Sequence, residues 1–235
     1  MRKWVFLLGI LLFLDAGVIG NLKERTCLDE LRNAKMPVEL FETSGIKREE
    51  MKRYLVFWKD LKYFPVAFRK DVKSKQFYFQ DSWREERTFG GDRVHEGCDI
   101  FGEENRREYY PVISVTDGIV EKIGWLPLGG WRIGIRSPGG GFFYYAHLSS
   151  YVKEFQEGDR IKAGEILGFL GDTGYGKEGT SGKFPAHLHF GIYVQTEEEE
   201  EYPLNPYPVL CFLRKRQKIF SYKKKKKYAI LYGHS

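Results

Sequence analysis

Five histidines mark a chain of 235 residues: His95, His147, His187, His189 and His234. Imidazole is the side chain whose ordinary pKa lies nearest neutrality, so proton transfer and metal ligation are sought there first. Four of the five fall in three short patterns. In Ala186-His187-Leu188-His189-Phe190-Gly191-Ile192 two histidines stand two apart. Alternate residues of a strand face one side, which puts His187 and His189 together and turns Leu188, Phe190 and Ile192 the other way. In His95-Glu96-Gly97-Cys98-Asp99, a His and an Asp four apart can turn to one side and chelate a single ion. In Tyr145-Ala146-His147-Leu148, Tyr145 and His147 are expected on a common strand face.

Taken together the patterns offer one Asp and two His as nitrogen and oxygen ligands, with a fourth tetrahedral position open. That is the donor set of catalytic zinc, whereas structural zinc is closed by four protein ligands. Zinc acidifies water and polarises a carbonyl. The two remaining histidines are then placed for proton handling and for steadying an oxyanion. His95-Glu96 also begins like the H-E-x-x-H zinc helix, but the fifth residue is Asp99 and Gly97 interrupts it, so Glu96 is not a base of that kind.

The residues that must position these groups read mainly as strands. From about residue 76, short runs rich in β-branched and aromatic residues alternate with Gly, Asp and Pro: FYFQDSW, PVISVTDGIVEKIGW, WRIGIRS, GFFYYAHLSSYV, DRIKAGEILGFLGDTG and AHLHFGIYV. With 26 Gly, 15 Tyr, 18 Phe and 5 Trp, strands joined by tight turns are favoured over a helical bundle. Residues 21 to about 65 read as a small helical prefix. Ser44 is the expected N-cap of a helix carrying Met51, Tyr54, Leu55, Trp58 and Leu61, and Pro65 ends the pattern. The expected divisions are a leader over 1–20, a helical prefix and lead-in over 21–87, a catalytic domain over 88–212 and a basic tail over 213–235.

Composition limits the function. Apolar residues make up 42% and charged residues 30%, a globular balance. The net charge of +6 resides in residues 213–227, which carry nine Lys or Arg and no acid, so the remainder is acidic. A general nucleic-acid surface is therefore not indicated, and no nucleic-acid partner is expected. Lys223–Lys227 suits an anionic envelope polymer or anionic lipid, or simply solvent. Cys27, Cys98 and Cys211 are too few and too scattered for a disulfide framework or a cysteine zinc site. Arg2 and Lys3 precede the apolar run WVFLLGILLFL and then DAGVIG, the pattern of a signal peptide cut after Gly20 or of an uncleaved anchor. Either places the bulk of the chain outside the cytoplasm.

The ordered set of motifs resembles the LytM/lysostaphin-type zinc endopeptidases, the M23 peptidases, over about residues 88–212. H-x-G-x-D, Y-x-H-L and H-L-H-F occur in that family's order. The intervening Pro111-Val112, Asp117-Gly118, Gly158-Asp159, Gly171-Asp172-Thr173-Gly174 and Asn205-Pro206 fit as well. The resemblance implies a mainly β fold, an antiparallel sandwich-like sheet with a groove over one Zn2+. It implies His95, Asp99 and His189 as zinc ligands, and His147 and His187 as the two catalytic histidines that do not bind metal. Of these two, one accepts the proton of the attacking water and either stabilises developing charge. Cys98 lies between ligands, but the pattern does not require it. The implied substrate is a peptidoglycan peptide, cut in its stem or cross-bridge. A wall-binding scaffold that does not cut, and a zinc peptidase acting on protein, are the competing readings. The segments Gly124–Gly141 and Gly174–Pro185 depart most from the family pattern and are expected to shape the groove and its choice of bond.

Overall fold

The computed structural model describes residues 25–70, 77–88 and 91–220. The leader over 1–20, the lysine run Lys223–Lys227 and His234 lie outside the described residues. No helix among the described residues is long and apolar enough to cross a membrane. The chain divides between Trp58 and Lys59 into two units.

In the first unit, residues 25–33 form helix α1, followed by α2 (Val38–Thr43) and α3 (Arg48–Leu55). Cys27, Leu31, Phe41, Met51 and Tyr54 are buried. Phe41 stands edge-on to Tyr54 at 4.8 Å and to Trp58 at 5.7 Å, so aromatic packing holds short helices that have little intrinsic stability. Ser44 does not cap α3 as the sequence suggested. It closes α2, and its hydroxyl donates to the Leu40 carbonyl. Gly45, at φ +74°, takes the left-handed turn after that helix and hands its N–H to Glu42. Lys47 precedes α3 without a side-chain cap, and α3 stops at Leu55, short of the expected Trp58 and Leu61.

Among the described residues, the second unit is antiparallel β apart from one parallel pair and one short α-helix. Its first strands are β1 (Phe68–Arg69), β2 (Phe77–Tyr78), β3 (Glu86–Arg87), β4 (Arg93–Val94) and β5 (Cys98–Gly102). Then come β6 (Pro111–Ile113), β7 (Gly118–Leu126), β8 (Gly130–Arg136), β9 (Phe142–Leu148) and β10 (Ser150–Tyr151). Last are β11 (Arg160–Ile161), β12 (Ile166–Phe169), β13 (His187–Val194), β14 (Tyr202–Leu204), α4 (Tyr207–Leu213) and β15 (Ile219–Phe220). The large sheet runs β11-β7-β8-β9-β13-β5-β2, with β14 also on β13, and a smaller sheet runs β10-β12-β6.

One face of the large sheet is core. Ile100, Ile133, Ile135, Phe143, Tyr145, Leu188 and Phe190 are fully buried, and Tyr145 and Phe190 rings meet at 5.3 Å. The Tyr145 hydroxyl accepts from the Val115 N–H at 2.9 Å, so its one polar atom is satisfied inside an apolar layer. The lead-in belongs to this unit too. Phe64, Val66, Phe68 and Phe77 are buried, and the Phe68 and Phe77 rings stack at 4.9 Å. Likewise the first residues assigned to the tail are structural: Leu213 is buried and β15 pairs in parallel with β1.

Across β7 and β8, Arg136 grips Glu121 with two hydrogen bonds of 2.6 Å each and lies 4.9 Å over the Phe142 ring. A bidentate, partly shielded pair of this kind is worth about 1 kcal/mol after solvent screening. The hydrogen bonds from Arg136 hold the Glu121 carboxyl below its ordinary value. The stabilisation is therefore complete above the unfolded carboxyl pKa of about 4.3 and is lost as pH falls through the lower folded value. Glu121→Gln is expected to lower stability at pH 7 by about 1 kcal/mol, and the gap from wild type should close near pH 3. Urea titrations of both proteins at the two pH values measure it.

Candidate active site

Strand β13 lies between β5 and β9. Its register sets His189 opposite Asp99 on one side and opposite Ala146 on the other, with His187 opposite Phe101. The period of two puts Asp99, His187 and His189 on the face away from the core, while Cys98, Leu188 and Phe190 turn inward. Cys98 is thereby excluded from the cluster, and its thiol donates to the Gln80 carbonyl at 3.3 Å. All three cysteines are free.

His95 enters from the loop before β5 and is buried. Its Nε2 is 3.1 Å from Asp99 Oδ1 and 3.0 Å from His189 Nδ1, and His189 Nδ1 is 3.0 Å from the same Asp99 oxygen. The other ring nitrogen of His95 is 3.1 Å from the Ser82 carbonyl oxygen. A carbonyl only accepts, so with the proton on Nδ1 directed at Ser82, Nε2 is a lone pair; Arg87 Nη2, a donor 3.1 Å from the same Nδ1, is then left to Asp99 Oδ2. A single proton on His189 can satisfy some of the three short contacts but not all. Three donor atoms converging with too few protons between them, two nitrogen and one oxygen, fit a divalent metal such as zinc. Burial alone would raise the Asp99 carboxyl, but the surrounding imidazoles, His189 foremost, outweigh it and hold the group well below the usual carboxylate range. Arg87 on β3 donates to Asp99 Oδ2 at 3.4 Å, leaving Oδ1 for the cluster.

Gly97 explains the small residue within H-x-G-x-D. The His189 ring lies directly over it, and a Cβ there would overlap Cε1 and Nε2 of that ring.

His147 and His187 stand beside the cluster with ring centroids 4.7 Å apart. His147 Nδ1 donates to the Thr173 carbonyl at 2.7 Å, and His187 Nδ1 donates to the Pro185 carbonyl at 2.8 Å. Both are thus held in the tautomer that leaves Nε2 open, and His187 Nε2 sits 3.8 Å from Asp99 Oδ1. Burial lowers the pKa of both imidazoles, so both are neutral and able to accept a proton at neutral pH.

The sequence expectation that Tyr145 and His147 share a face is not met. Tyr145 is core, whereas His147 lines the groove. The reason is local: the β8–β9 register shifts between Trp131 and Ile133, and His147 takes φ +61°, which swings its side chain out of the alternation. The 171–174 turn is built into this arrangement. Thr173 supplies the carbonyl to His147, and its hydroxyl donates to the Leu148 carbonyl at 2.8 Å.

The groove has a volume of about 910 Å³. Both departing segments reach it, as expected. From 124–141 come Leu126, Leu128, Gly129 and Arg132, and from 174–185 come Tyr175, Phe184 and Pro185. The Phe184 ring lies 4.7 Å from His147 and 5.1 Å from His187, an apolar cover over both. Tyr144 stands 6.0 Å from His189, its hydroxyl pushed up to about 12 by burial and so neutral. Sequence reading missed Arg87, Arg132 and Tyr144. None lies in a spaced pattern of its own, and each reaches the groove only through strand pairing.

The model of peptidase family M23 matches residues 93–206, the segment that carries His95, Asp99, His147, His187 and His189. The chain belongs to peptidase family M23. It is similar to the L-Ala–D-Glu endopeptidase of Bacillus subtilis, 38% identical over 188 residues that are 79% of this chain and 53% of that one. The M23 chain thus spans about half the length of that curated relative. It is also similar to the glycyl-glycine endopeptidase ALE-1 of Staphylococcus capitis, 38% identical over 82 residues that are 34% of this chain and 20% of that one. Among solved structures, a lytM protein from Ruminococcus gnavus superposes with a TM-score of 0.66 at 46% identity, over 79% of this chain and 74% of that one. The mainly antiparallel β fold of the M23 unit is the one expected from its sequence.

Gly97→Ala tests the packing of the His189 ring. The added methyl is expected to weaken divalent metal binding at least tenfold while leaving the far-UV spectrum unchanged. Isothermal titration with zinc reads the loss, and retention of wild-type affinity would show that the ring has room to shift.

Proposed function

We propose that the protein is an exported zinc endopeptidase that hydrolyses peptide bonds in peptidoglycan stems or cross-bridges. The observation that carries this reading is the convergence of three metal-type donor atoms beside two neutral, oriented imidazoles in one open groove. The similarity to wall-type endopeptidases over most of the chain supports the substrate class. The leader-like sequence of residues 1–20 supports export.

His95, Asp99 and His189 would hold one Zn2+, which when bound supplies a Lewis acid that polarises a carbonyl and acidifies water. The rest of the mechanism belongs to the chain. The carbonyls of Thr173 and Pro185 keep Nε2 of His147 and His187 ready to take a proton from the attacking water. Once protonated, the same imidazoles donate to the oxyanion or to the leaving amine. The neutral Tyr144 hydroxyl is a further donor on the groove floor. Phe184 and Tyr175, ring to ring at 4.7 Å, exclude water from the far side of His147.

Purified protein should release new peptide termini from peptidoglycan, identified by mass spectrometry. The release should stop with a chelator and return with zinc. His189→Ala is expected to lose both bound zinc and activity. His187→Ala is expected to keep zinc and lose activity by at least 100-fold, in line with loss of an acid–base group. A fully active His187→Ala protein would refute that role. A folded, zinc-loaded protein that leaves wall intact but cuts a protein would move the substrate class.

A further inference from the structure

The groove extends from the histidines across the sheet to β8, and there it meets the guanidinium of Arg132. Arg132 lies two strands from β13, with β9 between. The neighbouring pairs Trp131 with Leu148 and Ile133 with Tyr145 place it level with Ala146, which itself pairs with His189. Two strand spacings separate Arg132 from His189 along this line, about 10 Å. An extended peptide covers that distance in about three residues, and the arginine side chain shortens it further.

Arg132 Nη1 is buried from solvent and, among the described residues, has no hydrogen-bond partner. A buried donor left unmet is costly, and a charged one more so. The other groove arginines differ. Arg87 is engaged with Asp99 and Glu85, and Arg93 with the Tyr175 hydroxyl. Lys122, on the strand next to Arg132, lines the same groove and, among the described residues, forms no ion pair. Glu201 is the one acid lining this end of the groove, and it makes no ion pair with either cation.

We infer that Arg132, with Lys122 behind it, is a carboxylate-binding subsite, and that the favoured substrate carries a free carboxyl on a residue next to the scissile bond. The inference rests on the peptidase reading above and refines its substrate class. An acidic flanking residue fits this end of the groove, and a run of glycine, which has no side-chain carboxylate, leaves Arg132 unmet. A guanidinium accepts a carboxylate through two parallel hydrogen bonds, geometry that an amide cannot reproduce.

The test uses L-Ala–D-Glu peptides that differ only in whether the glutamyl carboxyl outside the peptide chain is free or amidated, with pentaglycine as a third substrate. Wild type is expected to favour the free acid over the amide by 10- to 100-fold in kcat/KM, mostly through KM. Arg132→Gln should reduce that preference to less than threefold, and Arg132→Lys should restore part of it. Equal rates on acid and amide by wild type, faster cleavage of pentaglycine, or an intact preference in Arg132→Gln would each overturn the inference while leaving the peptidase reading standing. Failure of that reading looks different: wild type then cuts none of the three and releases nothing from peptidoglycan, and the subsite falls with it.

Discussion

The site depends on the antiparallel register between β5 and β13. Pairing His189 with Asp99 brings together a nitrogen and an oxygen from residues 90 positions apart, close enough for both to meet His95. Side chains alternate along a strand, so a slip of one residue would send His187 and His189 into the core and Leu188 and Phe190 into solvent. The register is held from beneath. Leu188, Phe190 and Ile100 have no place except the apolar layer that Phe143 and Tyr145 share with them. Core packing and metal-site geometry are two faces of one constraint, which is why donor atoms from separate segments of the chain meet at one point.

Main-chain carbonyls do the finer work. Thr173 and Pro185 each offer an oxygen that can only accept, and each thereby decides which nitrogen of a histidine carries the proton. Backbone is a stiff anchor for this task, because its position is set by sheet and turn geometry and not by a side-chain rotamer. Burial then keeps both imidazoles uncharged. Two neutral bases thus sit within a few ångströms of a metal-type cluster.

Much of the site was legible in the sequence because period-two alternation converts H-x-H into a shared face without tertiary information. The Asp99 and His95 pair was legible for a related reason, a short loop that returns to its own strand. The pairing of Tyr145 with His147 was misread because a register shift and a left-handed residue break the alternation at that point. Ser44 was misread because one residue type serves both ends of a helix, and only Gly45 beside it decides which. Arg87 and Tyr144 had no signal, and Arg132 had only the expectation that its segment, Gly124–Gly141, shapes the groove. Their membership depends on which strands become neighbours, a long-range outcome that local spacing does not encode. The lead-in and the first tail residues look polar or irregular along the chain, yet β1 and β15 find each other across some 150 residues.

His147 has a consequence of its own. A side chain with a Cβ held at φ +61° costs about 1–2 kcal/mol relative to ordinary backbone. Glycine would relieve the backbone there, and asparagine in part, but either gives up the buried imidazole and its bond to the Thr173 carbonyl. The imidazole is thus held against a backbone preference, as its proposed part in proton transfer requires. A library screened only for heat resistance would sample glycine and asparagine there for the backbone relief, and any such survivor would lack the proposed proton acceptor.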